Sequence, residues 1–427
     1  MDVLFPPGPQ KSLLFGDAPQ FKSNPFEFMA QAARAYGDLV HFRFGPSHAY
    51  LLTNPRDAHR VLVEHHDQFF EKPSLLRALN SAMGHDLFAP SDQVTKQALR
   101  RGLFKSDWLT PFIEDAAQAS SQMLDLWQGG DPLPLLREIT LRVVTQTLFG
   151  QTDDRAGLLA EAITVCRDDQ AFQSPLTLPL WVPTASNRQK QRAQHEIEGL
   201  TRQLIAAYRQ RGCYGILSCL LNAADRPAWA VEELLALFYA GYEATARTLA
   251  WSWYLLTQYP DAAESLQAEV DTVLGGRTPT GADLPNLVYC AMVFKETLRL
   301  YPPVWLIRRQ AKKETRLGEY YVPAGSTIFV SPYITHRSQR YYTAPDRFLP
   351  ERFGDSFARR GSNTSYMPFG AGTYSEVEHS YATAIGTLIL ALSAQKLHLS
   401  LKQKPETGTL TAAPNGLQLH AEHLVTV

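Results

Sequence analysis

At 427 residues, 45% of them hydrophobic, the chain is long enough to bury a large core. Lys and Arg number 41 against 42 Asp and Glu, a net charge of -1, and so even a balance excludes the basic footprint of a nucleic-acid-binding protein. No run of about 20 apolar residues is present to span a bilayer, no secretory leader is expected, and Cys166, Cys213, Cys219 and Cys290 show no Cys-x-x-Cys spacing. A cytoplasmic protein with reduced thiols is expected, with small molecules or proteins as partners. No Pro/Gly/Ser-rich linker divides residues 1–427, which predicts a single domain.

In chain order, residues 6–25 read as extended surface chain, and Phe26 to Tyr36 as a helix closed by Gly37. Leu39 to Phe44 and His48 to Thr53 alternate as a hairpin around Gly45-Pro46, and Asn54-Pro55 starts another helix. Helices are predicted for Pro132 to Gly150, Ala156 to Phe172 and Asn187 to Arg211, with Thr177 to Thr184 as an apolar connector that lines a substrate entrance or simply packs. Val231 to Leu256 is a long, mostly apolar helix, and Phe294 to Leu300 another. Strands follow around Tyr320 to Gly325 and over Ser326 to Ser331, then a helix from Tyr381 to Leu392, then a terminal hairpin from Leu397. The elements describe a mainly α protein with small β-sheets (α+β).

Within that frame, several stretches carry chemistry-bearing residues. Met367-Pro-Phe-Gly-Ala-Gly372 is a stiffened, glycine-freed turn that leads through Tyr374, Glu376, Glu378 and His379 into a buried helix. Ala240-Gly-Tyr-Glu-Ala-Thr245 sets an acid and an alcohol on the long apolar helix, where Glu243 is costly to bury unless paired. Glu296 and Arg299 share a helix face, and Pro350-Glu-Arg-Phe353 follows downstream. Together these stretches resemble the cytochrome P-450 family, over nearly the whole chain.

The resemblance implies that fold, with Glu296, Arg299 and Arg352 as a structural network. It also places Glu376 where the family has its haem-ligating cysteine, Tyr374 at its propionate arginine, Glu378 at the following glycine and Ala244 at its relay threonine. Arg309 is the match to a second propionate arginine, with His336 as a helper. The segment Asp92 to Arg101 lacks the family's tryptophan, and Arg100 or Arg101 stands as an uncertain substitute.

A carboxylate imitates thiolate donation to haem iron poorly. The sequence therefore leads to the expectation of a protein without a cofactor, in which Arg309 and His336 are vestiges of a haem pocket. Its function is expected to be non-oxidative acid/base chemistry, such as cyclisation, isomerisation or elimination, on a lipophilic small molecule in natural-product biosynthesis. Glu243, Glu376, Thr245, Tyr374, Glu378 and His379 are the candidate catalytic residues, with burial raising the pKa of Glu243 or Glu376. No metal site is expected, because Asp153-Asp154 and Asp168-Asp169 are isolated pairs. Two alternatives stand beside this reading. One is a non-catalytic helper that stabilises a partner enzyme such as a glycosyltransferase, and the other is a haem-binding oxidoreductase or monooxygenase with an unusual axial ligand.

Overall fold

A computed structural model of the chain describes residues 4–9, 17–71, 106–150, 153–166, 184–211, 227–354, 364–372, 379–406 and 414–424. Helices dominate, and one mixed five-stranded sheet joins strands from the first 71 residues to strands between residues 307 and 330. After the short α1 (Ala18–Ser23), Asn24 accepts a hydrogen bond from the Glu27 N–H and Pro25 presets the first turn of α2 (Pro25–Tyr36). The hairpin β1 (Leu39–Phe44) and β2 (Ser47–Leu52) pairs Leu39 with Leu52 across the Gly45-Pro46 turn. It buries Val40 and Phe42 on one face. Asn54 caps α3 (Pro55–His59), which runs into a π-helical turn at Arg60–Glu64.

Three strands complete the sheet: β3 (Phe69–Glu71), β4 (Ile307–Ala311) and, after the small pair β5 (Thr315–Leu317) and β6 (Tyr320–Val322), β7 (Thr327–Val330). Their order is β1-β2-β7-β4-β3, with β2 and β7 parallel and the other pairs antiparallel.

The helical part begins with α4 (Ser106–Leu126) and α5 (Pro132–Phe149), the latter capped by Asp131, whose carboxylate accepts from the Leu133 N–H. It continues through α6 (Arg155–Cys166) and α7 (Ala185–Arg211) to α8 (Pro227–Gln258). At 32 residues, α8 is about 48 Å long. Phe238, Ala246, Leu249, Ala250 and Trp253 bury it deeply, as expected for a helix that is apolar nearly all round. It packs against α5, α9 (Pro260–Leu274), α10 (Val288–Leu300) and α12 (His379–Lys396). The approach of α12 to α10 depends on Gly386, where an added Cβ would lie 2.3 Å from the Phe294 ring. The terminal hairpin is β8 (Leu397–Gln403) and β9 (Gln418–His423).

The network expected around Glu296 is present and almost fully buried. The Arg299 guanidinium donates to both Glu296 oxygens at 2.7 and 2.8 Å, and to the backbone carbonyls of His336, Pro345 and Arg347. Arg352 Nε and the Leu349 N–H reach Glu296 Oε1 at 3.2 and 3.0 Å. A desolvated pair is tolerable only when its remaining donors and acceptors are met, and this one meets them with loop carbonyls. It thereby ties α10 to α11 (Pro332–His336) and to the chain leading to Pro350.

Candidate functional site

Central helix α8 crosses the start of α12, and the turn Met367 to Gly372 lies beside it. Between them is a cavity of about 20 Å³, walled by Gly241, Ala244, Phe294, Val304, Phe369 and Tyr381, with Thr245 and Thr248 as its hydroxyl residues. Gly241 lets α5 close in, since an added Cβ there would lie 2.8 Å from Val144 Cγ2. Thr248 donates to the Ala244 carbonyl. Thr245 Oγ1 is buried and has no hydrogen-bond partner among the described residues. Such a group normally costs a kilocalorie per mole or more, so an unpartnered hydroxyl beside a cavity marks a place for a ligand atom. One water fits by volume, but a buried water needs two to four polar partners, and these walls offer few.

Glu243 does not join Thr245. Two residues apart on a helix, their side chains diverge by about 200°, and Glu243 faces α5. There it accepts from Arg137 Nε and Nη2 at 2.9 and 2.7 Å and from Arg247 Nε at 2.7 Å. Burial acts to raise its pKa, but the hydrogen bonds and charges of the two arginines outweigh burial and hold the carboxyl below its ordinary range. The expected upward shift is thus corrected for Glu243: it is an ionised strut between α5 and α8. Arg247 was legible as the i, i+4 partner of Glu243, whereas Arg137 lies 106 positions away and carried no local signal.

The remaining candidates are dispersed. His336 is fully buried, with Nδ1 bonded to the Arg299 carbonyl at 3.1 Å and Nε2 accepting from the Met367 N–H at 3.0 Å. Burial and the neighbouring Arg299 charge push its pKa down to about 3. With both nitrogens on backbone, this neutral imidazole braces the fold and has no donor left for an anionic group. Arg309 lies in β4 at 3% exposure and donates to the Arg308 carbonyl. His379 begins α12 exposed, 6.0 Å from the Phe369 ring. Tyr374, Glu376 and Glu378 fall outside the described residues, as do Asp92 to Arg101, Thr177 to Pro183 and Asp168-Asp169. Among the described residues no cluster of three or more His, Cys, Asp or Glu forms a metal site, and no helix is long and apolar enough to cross a membrane.

A long helix over a glycine-bearing turn, with the Glu296–Arg299–Arg352 network behind it, defines a class. The sequence model of cytochrome P-450 matches residues 6–375, and the chain belongs to that family. Among curated proteins it is similar to cyclooctatin synthase of Streptomyces melanosporofaciens, 30% identical over 94% of this chain and 92% of the relative. Cyclooctat-9-en-7-ol 5-monooxygenase of the same organism is 29% identical over 93% and 89%, and pentalenene oxygenase of Streptomyces avermitilis 28% over 88% and 87%.

Membership corrects the expectation of a cofactor-free protein: the family's cofactor is haem, and two of these relatives carry oxygenase names. The described residues fit that group in the apolar lining contributed by Phe294, Val304 and Phe369 and in the unpartnered Thr245 hydroxyl. The 20 Å³ space has room for a small guest of water size. Residues 84–104 and 373–378, which the resemblance also assigns to the haem surroundings, lie outside the described set.

Proposed function

We propose that the protein is a haem-binding oxidoreductase of the cytochrome P-450 family, with an unusual axial ligand, acting on a lipophilic small molecule in natural-product biosynthesis. The observation that carries the reading is the buried Thr245 hydroxyl, unpartnered among the described residues, at an apolar cavity between α8 and the Phe369 turn. The names of the relatives, built on cyclooctat-9-en-7-ol and pentalenene, support a hydrocarbon-rich substrate class, with which the apolar character of the lining agrees.

Bound haem supplies one-electron and dioxygen chemistry that amino-acid side chains lack. Glu376 stands at the ligand position by sequence, with Tyr374 and His379 as the neighbouring donors. An oxygen donor would give the iron less electron density than a thiolate, so slower turnover than in a cysteine-ligated relative is expected. Thr245 hydrogen-bonds a small polar ligand in the cavity, Phe294 and Phe369 exclude water from it, and Glu243 holds the helix without exchanging a proton.

Absorbance titration of the purified chain with haem tests this. A saturable Soret band at one haem per chain, weakened in Glu376→Ala, is the expected result. Absence of saturable binding overturns it.

A further inference from the structure

A cleft of about 940 Å³ lies between α2, the chain at Asp38 and Thr53, and α11 with the turn that follows it. It shares no wall residue with the Thr245 cavity. Phe26, Ala30, Ala33, Tyr333 and Ile334 give it an apolar side, on which the Phe26 ring packs 4.0 Å from Trp305 and edge-on to Tyr333 at 5.7 Å. Three arginines also line it. Two are matched, Arg34 by Glu27 at 3.0 Å and Arg340 by Asp38 at 2.7 Å.

The third, Arg337, is not. Its side chain is only 18% exposed, and its guanidinium lies 4.1 Å over the Tyr333 ring and 5.6 Å from that of Tyr301. Nη1 donates to the Leu300 carbonyl at the end of α10, where the helix dipole favours a cation. That is its single hydrogen bond among the described residues. The Asp346 carboxylate stands 3.6 Å from Nε, beyond hydrogen-bond reach, and is itself 81% exposed. A guanidinium carries five N–H donors, and a sheltered cation is costly unless it is paired. Arg337 thus brings unused donors and a loosely countered charge to a cleft whose other charges are met.

We propose that this cleft is a binding site for a small carboxylic acid, whose carboxylate pairs with Arg337 while its apolar body lies against Phe26 and Tyr333. A planar carboxylate matches the guanidinium fork. A doubly charged phosphate suits the place less, because Glu27, Asp38 and Asp346 line the same cleft and repel a second charge. Binding exchanges the long Asp346 contact for a direct one and pushes that exposed side chain aside.

The site stands apart from the functional reading above, and its test does not depend on haem. Benzoate, its neutral isostere benzamide and inorganic phosphate are titrated into the full chain, followed by ligand-observed NMR. Benzoate should saturate at one per chain, bind more tightly than the other two probes, and weaken as salt is raised. Arg337→Gln should weaken it by about tenfold or more, the loss of a charge-assisted pair. Asp346→Asn removes the competing carboxylate and should tighten it several-fold, whereas Thr245→Val should leave it unchanged. Benzamide binding as tightly as benzoate, or wild-type affinity in Arg337→Gln, overturns the proposal. Phosphate binding more tightly than benzoate overturns the choice of a carboxylate, and loss of binding in Thr245→Val puts the probe in the other cavity and overturns the site. Should Arg337→Gln not fold, Asp346→Asn decides, and an affinity that is unchanged or weaker there overturns the pairing.

Discussion

Two buried carboxylates in this protein each lie between two arginines, and they differ in what else those arginines touch. Glu296 and Arg299 are wholly inaccessible and Arg352 is 13% exposed. Arg299 is further fixed to the carbonyls of His336, Pro345 and Arg347, so the pair is joined to backbone on every side. Glu243 is equally sheltered, but Arg137 reaches it from a position 40% exposed and Arg247 is 14% exposed. The first arrangement locks distant loops to one helix. The second braces one helix against another through a side chain with one end in water, which permits movement. Identical charges therefore serve rigidity in one place and adjustable packing in the other, and the number of backbone carbonyls on the guanidinium separates them.

The contrast is broken most severely at Arg299. Arg299→Leu leaves Glu296 charged and three carbonyls short of a donor, and should cost about 3–5 kcal/mol, seen in chemical denaturation as a lower midpoint or as failure to fold. Glu243→Gln should cost about 2–3 kcal/mol by the same assay, since the arginines keep access to water. Haem affinity should change little in that variant, because the side chain faces α5.

Acid sharpens the comparison. His41, half-buried and 2.9 Å from His48, has its pKa pushed down to about 4 by burial, His48 and Arg43. The unfolded chain takes up that proton at about 6.5, so stability falls as pH drops from about 6.5 to 4, by roughly 1–2 kcal/mol after allowance for partial exposure. His41→Gln should make that limb of a pH–melting profile shallower, the remaining slope coming from the fully buried His336, whose lowered pKa acts over the same window. The Glu243 bridge, with its carboxyl held below the ordinary range, weakens only as pH falls through that lowered value. Smallest is Arg137→Gln, expected to cost about 1 kcal/mol or less, because Arg247 still holds Glu243 and the lost guanidinium was part-solvated.

Much of the architecture was legible because its signals are local. Asn54 starts a helix where capping chemistry says it should, and the Glu296 and Pro350 motifs announce their network, whereas residues 6–25, read as extended surface chain, contain the short helix α1. The Asn187 helix starts two residues earlier than expected, at Ala185, and the Val231 helix extends to Pro227. The site was less legible because its logic is tertiary. A carboxylate on an apolar helix looks like an acid until Arg137 arrives from another helix, and His336 looks like a pocket donor until Met367 and Arg299 take both its nitrogens. Thr245 was recognised from its motif, but its lack of a partner is visible only in three dimensions. The cofactor expectation failed for a related reason: residues at the ligand position were weighed above the rest of the pocket, whereas the family match runs over residues 6–375.

The most direct test of a haem held without a thiolate is the ferric absorbance spectrum of the haem complex of the native chain beside that of Glu376→Cys. Both should bind one haem per chain, and the cysteine variant should shift the Soret band as sulfur replaces oxygen on iron. Identical spectra would place the ligand elsewhere, and failure of the native chain to hold haem would contradict the account altogether.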